Sequence, residues 1–215
     1  MNTLFKGLYA VTPDILNTEL LCEKVTAVLR GGASMVQYRN KAADAGLQLR
    51  QATALLALCR SFNVPLIIND HLDLCAKIDA DGLHLGATDC DLGAARRLLG
   101  THKILGASCY NRLDLAIQAE KAGASYAAFG ACFSSDTKPN AVNAPHSLFV
   151  EARQKIVIPL VAIGGITLEN APYVIQAGAS AIAVVGALFG ANDIEATSKQ
   201  LSHLFNKIMF GFQGG

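Results

Sequence analysis

The sequence predicts an α/β protein folded as a single (β/α)8 TIM barrel over residues 1–215, and three observations carry that expectation. Short β-type apolar runs alternate with helical stretches, one helix-ending glycine phrase recurs ahead of strands, and 52% of the chain is hydrophobic against 16% charged. Strand–helix alternation of this kind implies a parallel sheet, and eight alternations close a barrel. A chain of this length buries about 70% of the surface its unfolded form exposes, so it needs no staples. No proline-rich linker or charge block divides it. The competing doubly wound open sheet needs a G-x-G-x-x-G turn after the first strand, where Thr12-Pro13-Asp14 stands instead.

The elements follow in order. The first run, Gly7-Leu-Tyr-Ala-Val-Thr12, precedes a helix that closes at Leu29-Arg-Gly-Gly-Ala33. The second, Ser34-Met-Val-Gln-Tyr38, leads to apolar spacing of three and four from Leu47 to Cys59. The third is Val64-Pro-Leu-Ile-Ile68, and the fourth, Gly82-Leu-His-Leu85, comes before helical spacing from Leu92 to Leu99. The fifth, Ile104-Leu-Gly-Ala107, precedes Leu113 to Ala122, and the sixth is Tyr126-Ala-Ala-Phe129. The seventh, Ile158-Pro-Leu-Val-Ala-Ile163, leads into Leu168 to Ile175, and the eighth is Ala181-Ile-Ala-Val-Val185. Lys121-Ala-Gly-Ala124 and Gln176-Ala-Gly-Ala179 repeat the closing phrase, since glycine accepts the left-handed position past a helix end.

Asn170 to Asn192 carries no charge and is long enough to span a bilayer as a helix. Pro172, Gln176, Ser180, Gly178, Gly186 and Gly190 break it into helix, turn and buried strand, so it reads as core. The apolar face Leu201, Leu204, Phe205, Ile208 and Met209 is expected to pack on the barrel, which leaves a homodimer open.

Eighteen basic and seventeen acidic residues leave a formal charge of +1, against a nucleic-acid surface or polybasic membrane anchor. The N-terminus lacks a signal-peptide cleavage pattern. Six cysteines without a C-x-x-C pair read as small buried hydrophobes in a reducing cytoplasm rather than a zinc site.

Barrel active sites form at the C-terminal ends of the strands, and polar residues gather there in this chain. After the second run stands Gln37-Tyr38-Arg39-Asn40-Lys41, where alternation aims Gln37, Arg39 and Lys41 to one side. Two cations pointing inward suit phosphate; the plainer reading is a solvated strand end. Asn69-Asp70 ends the third run and Asp89 follows the fourth, so two carboxylates could share one Mg²⁺, although Asp89 could equally cap a helix, as could Asp91. His84 lies inside a strand run and reads as a packed, hydrogen-bonded core histidine. Ser108 and Cys109 are conceivable nucleophiles without a recognisable base. Ser135, Thr137 and Lys138 could form a second anion clamp on a loop, irregular from Pro139 to Pro145, that could cover the site. Gly164 and Gly165 after the seventh run, and Gly186 after the eighth, let backbone N–H groups approach a phosphate.

These residues in this order resemble the thiamine-phosphate synthase family. The match runs through Leu8-Tyr-Ala-Val-Thr-Pro-Asp14, Val36-Gln-Tyr-Arg-Asn-Lys41, Ile67-Ile-Asn-Asp70, Ala80-Asp-Gly-Leu-His-Leu-Gly86 with Asp89, Leu105-Gly-Ala-Ser108, Ser135-Asp-Thr-Lys138, Ala162-Ile-Gly-Gly-Ile166 and Val184-Val-Gly186. The resemblance implies that a hydroxymethylpyrimidine diphosphate is joined to a thiazole phosphate through a pyrimidine cation, giving thiamine phosphate and diphosphate. It implies that Gln37, Tyr38, Arg39, Asn40, Lys41, Asn69, Ser108 and Lys138 hold the pyrimidine diphosphate, with Arg39, Lys41, Ser108 and Lys138 as catalytic groups. It further implies one Mg²⁺ on Asp70 and Asp89, and the thiazole phosphate at Ser135, Asp136, Thr137, Gly165, Val185 and Gly186. Ala87, Ser135 and Gly186 depart from the family's commonest glutamine, threonine and serine. A thiazole tautomerase-like relative, another phosphate-binding barrel and a non-catalytic binder are the alternatives. The first needs no full diphosphate and metal set, and the second needs an acid–base pair near the phosphate loops.

Overall fold

The computed structural model describes residues 5–86, 89–134 and 144–210, with side chains as far as Phe205. Eight parallel strands pair in sequence order and the last pairs with the first, closing the barrel. They are β1 (Gly7–Val11), β2 (Met35–Tyr38), β3 (Leu66–Asn69), β4 (Gly82–Leu85), β5 (Ile104–Tyr110), β6 (Tyr126–Phe129), β7 (Leu160–Ile163) and β8 (Ala181–Val184). The helices are α1 (Thr18–Arg30), α2 (Ala45–Ser61), α3 (Leu72–Lys77), α4 (Leu92–Leu99), α5 (Leu113–Lys121), α6 (His146–Ala152), α7 (Ala171–Ala177), α8 (Gly186–Phe189) and α9 (Ile194–Phe210). All eight expected strands are present. The helices α3 and α8, of six and four residues, have no periodic signal in the sequence because fewer than two turns show no 3.6-residue period.

Alternation along each strand divides the core in two. One set, including Leu8, Val36, Leu66, Ile68, Leu83, Leu105 and Phe129, packs with apolar residues of the helices such as Leu21, Leu55 and Phe149. The other fills the lumen and includes Tyr9, Met35, Ile67, Tyr126 and Val161. The recurring glycine phrase behaves as its chemistry requires: Gly32, Gly123 and Gly178 take positive φ of 92°, 88° and 119° where a helix hands over to a strand.

The uncharged stretch after Asn170 is α7, β8 and α8, with β8 fully buried. Among the described residues no helix is long and apolar enough to cross a membrane. Leu201 and Phe205 on α9 are buried, and Ser198 Oγ donates to Val28 O across to α1. All six cysteines are free. Four are buried as expected and Cys22 is half-buried, but Cys90 is exposed in the turn before α4.

Candidate active site at the barrel mouth

β2 ends at Tyr38, so the polar run beyond it belongs to the rim rather than the lumen. Gln37 is buried inside the barrel, as alternation requires. Arg39 and Lys41 were expected as an inward pair of cations; instead their side chains keep 30% and 61% exposure at the mouth, each beside a carboxylate. The physical reason is solvation, which spares both charges the cost of full burial. Arg39 Nη1 lies 3.3 Å from Asp14 Oδ1, and Lys41 Nζ lies 3.5 Å from Asp70 Oδ2.

The backbone there is tied down from the segment just past β1. Thr12 Oγ1 donates to Arg39 O and accepts from Arg39 N, both at 2.9 Å. Asp14 Oδ1 accepts from Lys41 N at 2.8 Å. These polar groups sit just past β1, two residues apart, a spacing that matches one side of an extended strand.

Tyr38 and Asn40 do not join the mouth with their side chains. Tyr38 Oη donates to Gln51 Oε1 at 2.8 Å, and Asn40 Nδ2 donates to the same oxygen at 3.0 Å and to Ile15 O at 2.8 Å. Tyr38 neighbours Gln37 on β2, so alternation turns it outward; Asn40, beyond the strand, reaches the same glutamine, and the two lash this segment to α2. Their side chains are thus engaged with Gln51 and Ile15, away from the mouth.

Asn69 ends β3 and is the register partner of His84. Asp70 follows in the left-handed region at φ 62°, a conformation that aspartate tolerates better than most residues. Its backbone N donates to His84 O, which fixes the turn. Asp89 is not the cap of α4: that role belongs to Asp91, whose Oδ1 accepts from Ala94 N. Asp89 Oδ2 instead accepts from Gly86 N at 2.6 Å. The two carboxyls reach each other. Burial, then a hydrogen bond and charge from Asp89, raise the Asp70 pKa, while Lys41 works in the opposite direction. Two mutually repelling carboxylates at the ends of adjacent strands are a donor set that fits one Mg²⁺ completed by water and phosphate oxygens.

Ser108 stands near the end of β5 and its Oγ lies 2.9 Å from His84 Nε2. This histidine partner was not recognised from sequence, because His84 and Ser108 sit on different strands. His84 is hydrogen-bonded on both ring nitrogens, as expected for a packed histidine, and burial pushes its pKa down from 6.5 to about 4 despite the opposing charge of Asp89. Cys109 points into the packed layer outside the barrel, and burial drives its thiol up to about 12, which removes it as a nucleophile.

The glycine turns converge on the loop after β6. A Cβ at Gly164 would lie 2.7 Å from Ala131 Cα, and one at Gly165 would lie 2.5 Å from Ser134 O. Both glycines have positive φ, 98° and 63°, so only residues without a side chain fit. Asn170, also missed, pins this turn by donating from Nδ2 to Gly165 O and accepting from Thr167 N at Oδ1. Val185 and Gly186 form the turn from β8 into α8. Among the described residues, no atom beyond its own chain neighbours and helix backbone lies within 4 Å of where a Cβ at Gly186 would be. Ser135, Asp136, Thr137 and Lys138, like Ala87, lie outside the described residues.

A parallel barrel that gathers a carboxylate pair, rim cations and close-packed glycine turns at its C-terminal mouth belongs to the class of phosphate-handling barrels. The family model for thiamine monophosphate synthase (TMP-TENI) matches residues 8–188, and the chain belongs to that family. It is 56% identical over 201 residues to a thiamine-phosphate synthase of Methylobacillus flagellatus, covering 94% of this chain and 96% of that one. It is 54% identical to the corresponding protein of Nitrosomonas eutropha, covering 93% and 94%. A solved thiamine phosphate pyrophosphorylase from Pyrococcus furiosus superposes with a TM-score of 0.86 at 32% identity, covering 96% of this chain and 98% of that one.

Proposed function

We propose that this chain synthesises thiamine phosphate, joining hydroxymethylpyrimidine diphosphate to thiazole phosphate and releasing diphosphate. The observation that carries this reading is the meeting of Lys41, Asp70 and Asp89 at one side of the mouth, with Gln37 and Ser108 opening onto the same end. That set suits a metal-bound diphosphate attached to a polar heterocycle. Family membership and relatives above 50% identity support the same activity.

Asp70 and Asp89 would hold one Mg²⁺, which when bound supplies charge neutralisation for the departing diphosphate. Arg39 and Lys41 add fixed positive charge on the same leaving group, and Lys138 is assigned alongside them from the family pattern. The carbon–oxygen bond breaks with its electron pair going to diphosphate, leaving a resonance-stabilised pyrimidine cation. The thiazole nitrogen then donates its lone pair to that carbon. No covalent adduct with the protein is required, in keeping with the buried Cys109 thiol.

Gln37, Asn69 and Ser108 orient the pyrimidine. Gly165, Val185 and Gly186 present backbone N–H groups to the thiazole phosphate, with Ser135, Asp136 and Thr137 completing that cradle. A cytoplasmic location fits six free cysteines. Sedimentation of the purified chain decides between monomer and homodimer.

The direct test mixes both phosphorylated precursors with Mg²⁺ and the purified protein, then measures thiamine phosphate and diphosphate in equal amounts. Folded protein that yields neither would overturn the proposal.

A further inference from the structure

Five side chains from five strands form one hydrogen-bonded row across the lumen. Gln37 Nε2 donates to Tyr9 Oη at 2.7 Å, and Tyr9 Oη meets Tyr126 Oη at 2.8 Å. Tyr126 Oη meets His84 Nδ1 at 2.9 Å, and His84 Nε2 meets Ser108 Oγ at 2.9 Å. The two ends of the row, Gln37 and Ser108, are the proposed pyrimidine contacts. The three residues between them are buried and have no part in the chemistry described above.

Counting hydrogens sets the direction of the row. An amide nitrogen carries only hydrogens, so the Tyr9 oxygen accepts from Gln37. Tyr9 must then place its own hydrogen on the Tyr126 oxygen, and Tyr126 must place its hydrogen on His84 Nδ1. A neutral imidazole that accepts at Nδ1 carries its hydrogen on Nε2 and donates it to Ser108 Oγ. Every hydroxyl and ring hydrogen from Tyr9 to His84 is thereby used, and the hydroxyl hydrogen of Ser108 is left to point into the mouth. The same count prevents His84 from taking the Ser108 proton, so the short His84–Ser108 contact is not a nucleophile–base pair.

The fold makes room for this row deliberately. Gly106 on β5 is the register partner of His84 on one side and of Tyr126 on the other. A Cβ there would lie 2.1 Å from Tyr126 Cζ and 2.6 Å from His84 Nδ1. The two rings stack over the gap with centroids 5.6 Å apart.

We propose that Tyr9, Tyr126 and His84 are positioning residues: a one-directional row that couples Gln37 to Ser108 and compels Ser108 to donate its hydroxyl hydrogen to the pyrimidine diphosphate. This rests on the function proposed above. In a dry interior such bonds reinforce one another, and removing one member leaves its neighbours unpaired.

Two measurements test it. The first is ¹⁵N NMR of ligand-free, histidine-labelled protein, with the His84 signals assigned by their loss in His84→Gln. The Nε2–H tautomer is expected, whereas an Nδ1–H tautomer reverses the row and overturns the proposal. The second is steady-state kinetics of Tyr126→Phe, with Tyr9→Phe as the substitute should that variant misfold. KM for the pyrimidine diphosphate should rise about tenfold, the worth of one net hydrogen bond, while KM for the thiazole phosphate stays within about twofold. In a Ser108→Ala background the same change should cost less than about threefold, because its route of action is already gone. An equal rise in both KM values, or an undiminished effect without Ser108, rejects the coupling. A wild-type protein without synthase activity would remove the functional reading, while the tautomer would still decide the direction of the row.

Discussion

Tyr126 stands so close over Gly106 that a side chain at the glycine would fall within 2.2 Å of its hydroxyl. The two residues are register partners on β5 and β6, and the absent Cβ is what lets the ring reach across to His84. Gly106→Ala should therefore lower stability by about 1–3 kcal/mol, the usual cost of overpacking a filled core. Thermal melting checks this. An unchanged midpoint would mean that the rings shift aside without penalty.

His84 links the lumen to pH. Its folded pKa is held near 4, below the ordinary 6.5, because burial disfavours the charged ring. Between those values the unfolded chain binds the proton more readily, so stability is complete above about pH 6.5 and is lost as pH falls toward 4. The displacement corresponds to roughly 3 kcal/mol. Urea titrations across this window should show the decline, and His84→Gln, though less stable at neutral pH, should show a flatter profile.

Asp89 takes its place in the proposed metal site from its hydrogen bond to Gly86 N and its contact with Asp70, not from any helix. Asp89→Ala is expected to fold and to lose Mg²⁺-dependent turnover by about a hundredfold or more, since charge on the leaving group is worth several kcal/mol. Chelation of the parent protein should abolish activity and added Mg²⁺ restore it. Undiminished turnover in the variant removes Asp89 from the metal site.

Asp14 organises the rim by accepting from Lys41 N and pairing with Arg39. Asp14→Ala should weaken pyrimidine diphosphate binding about three- to tenfold through the loosened Arg39–Lys41 segment. The melting temperature should barely move, because the ion pair is partly exposed. Calorimetric titration with the diphosphate separates the two effects.

Gly186 stands where the family commonly carries serine, and none of the described residues obstructs a side chain there. Gly186→Ser is expected to fold normally and to lower KM for the thiazole phosphate by a few-fold through one added hydroxyl donor. An unchanged KM would place the phosphate away from this turn.

Much of this protein was legible in its sequence because the signals are local. Short apolar runs marked all eight strands, and glycine at helix ends marked their connections, since both are signals within a few neighbouring residues. The side of β2 on which Gln37 lies followed from the two-residue alternation of a strand. Local rules failed where β2 stopped: past its last ladder residue the alternation no longer holds, so Arg39 and Lys41 came to the rim and Asp14 took charge of them. The row through Tyr9, Tyr126 and His84 had no sequence signature. Tyr9 and Tyr126 are 117 positions apart, and hydrogen-bond partners on separate strands meet only after closure fixes which side chains share the lumen. Sequence alone determined the barrel, its order and which strand ends carry polar groups. Tertiary structure decided which of those groups touch and which way their hydrogens point, because that depends on cross-barrel distances that no local pattern encodes.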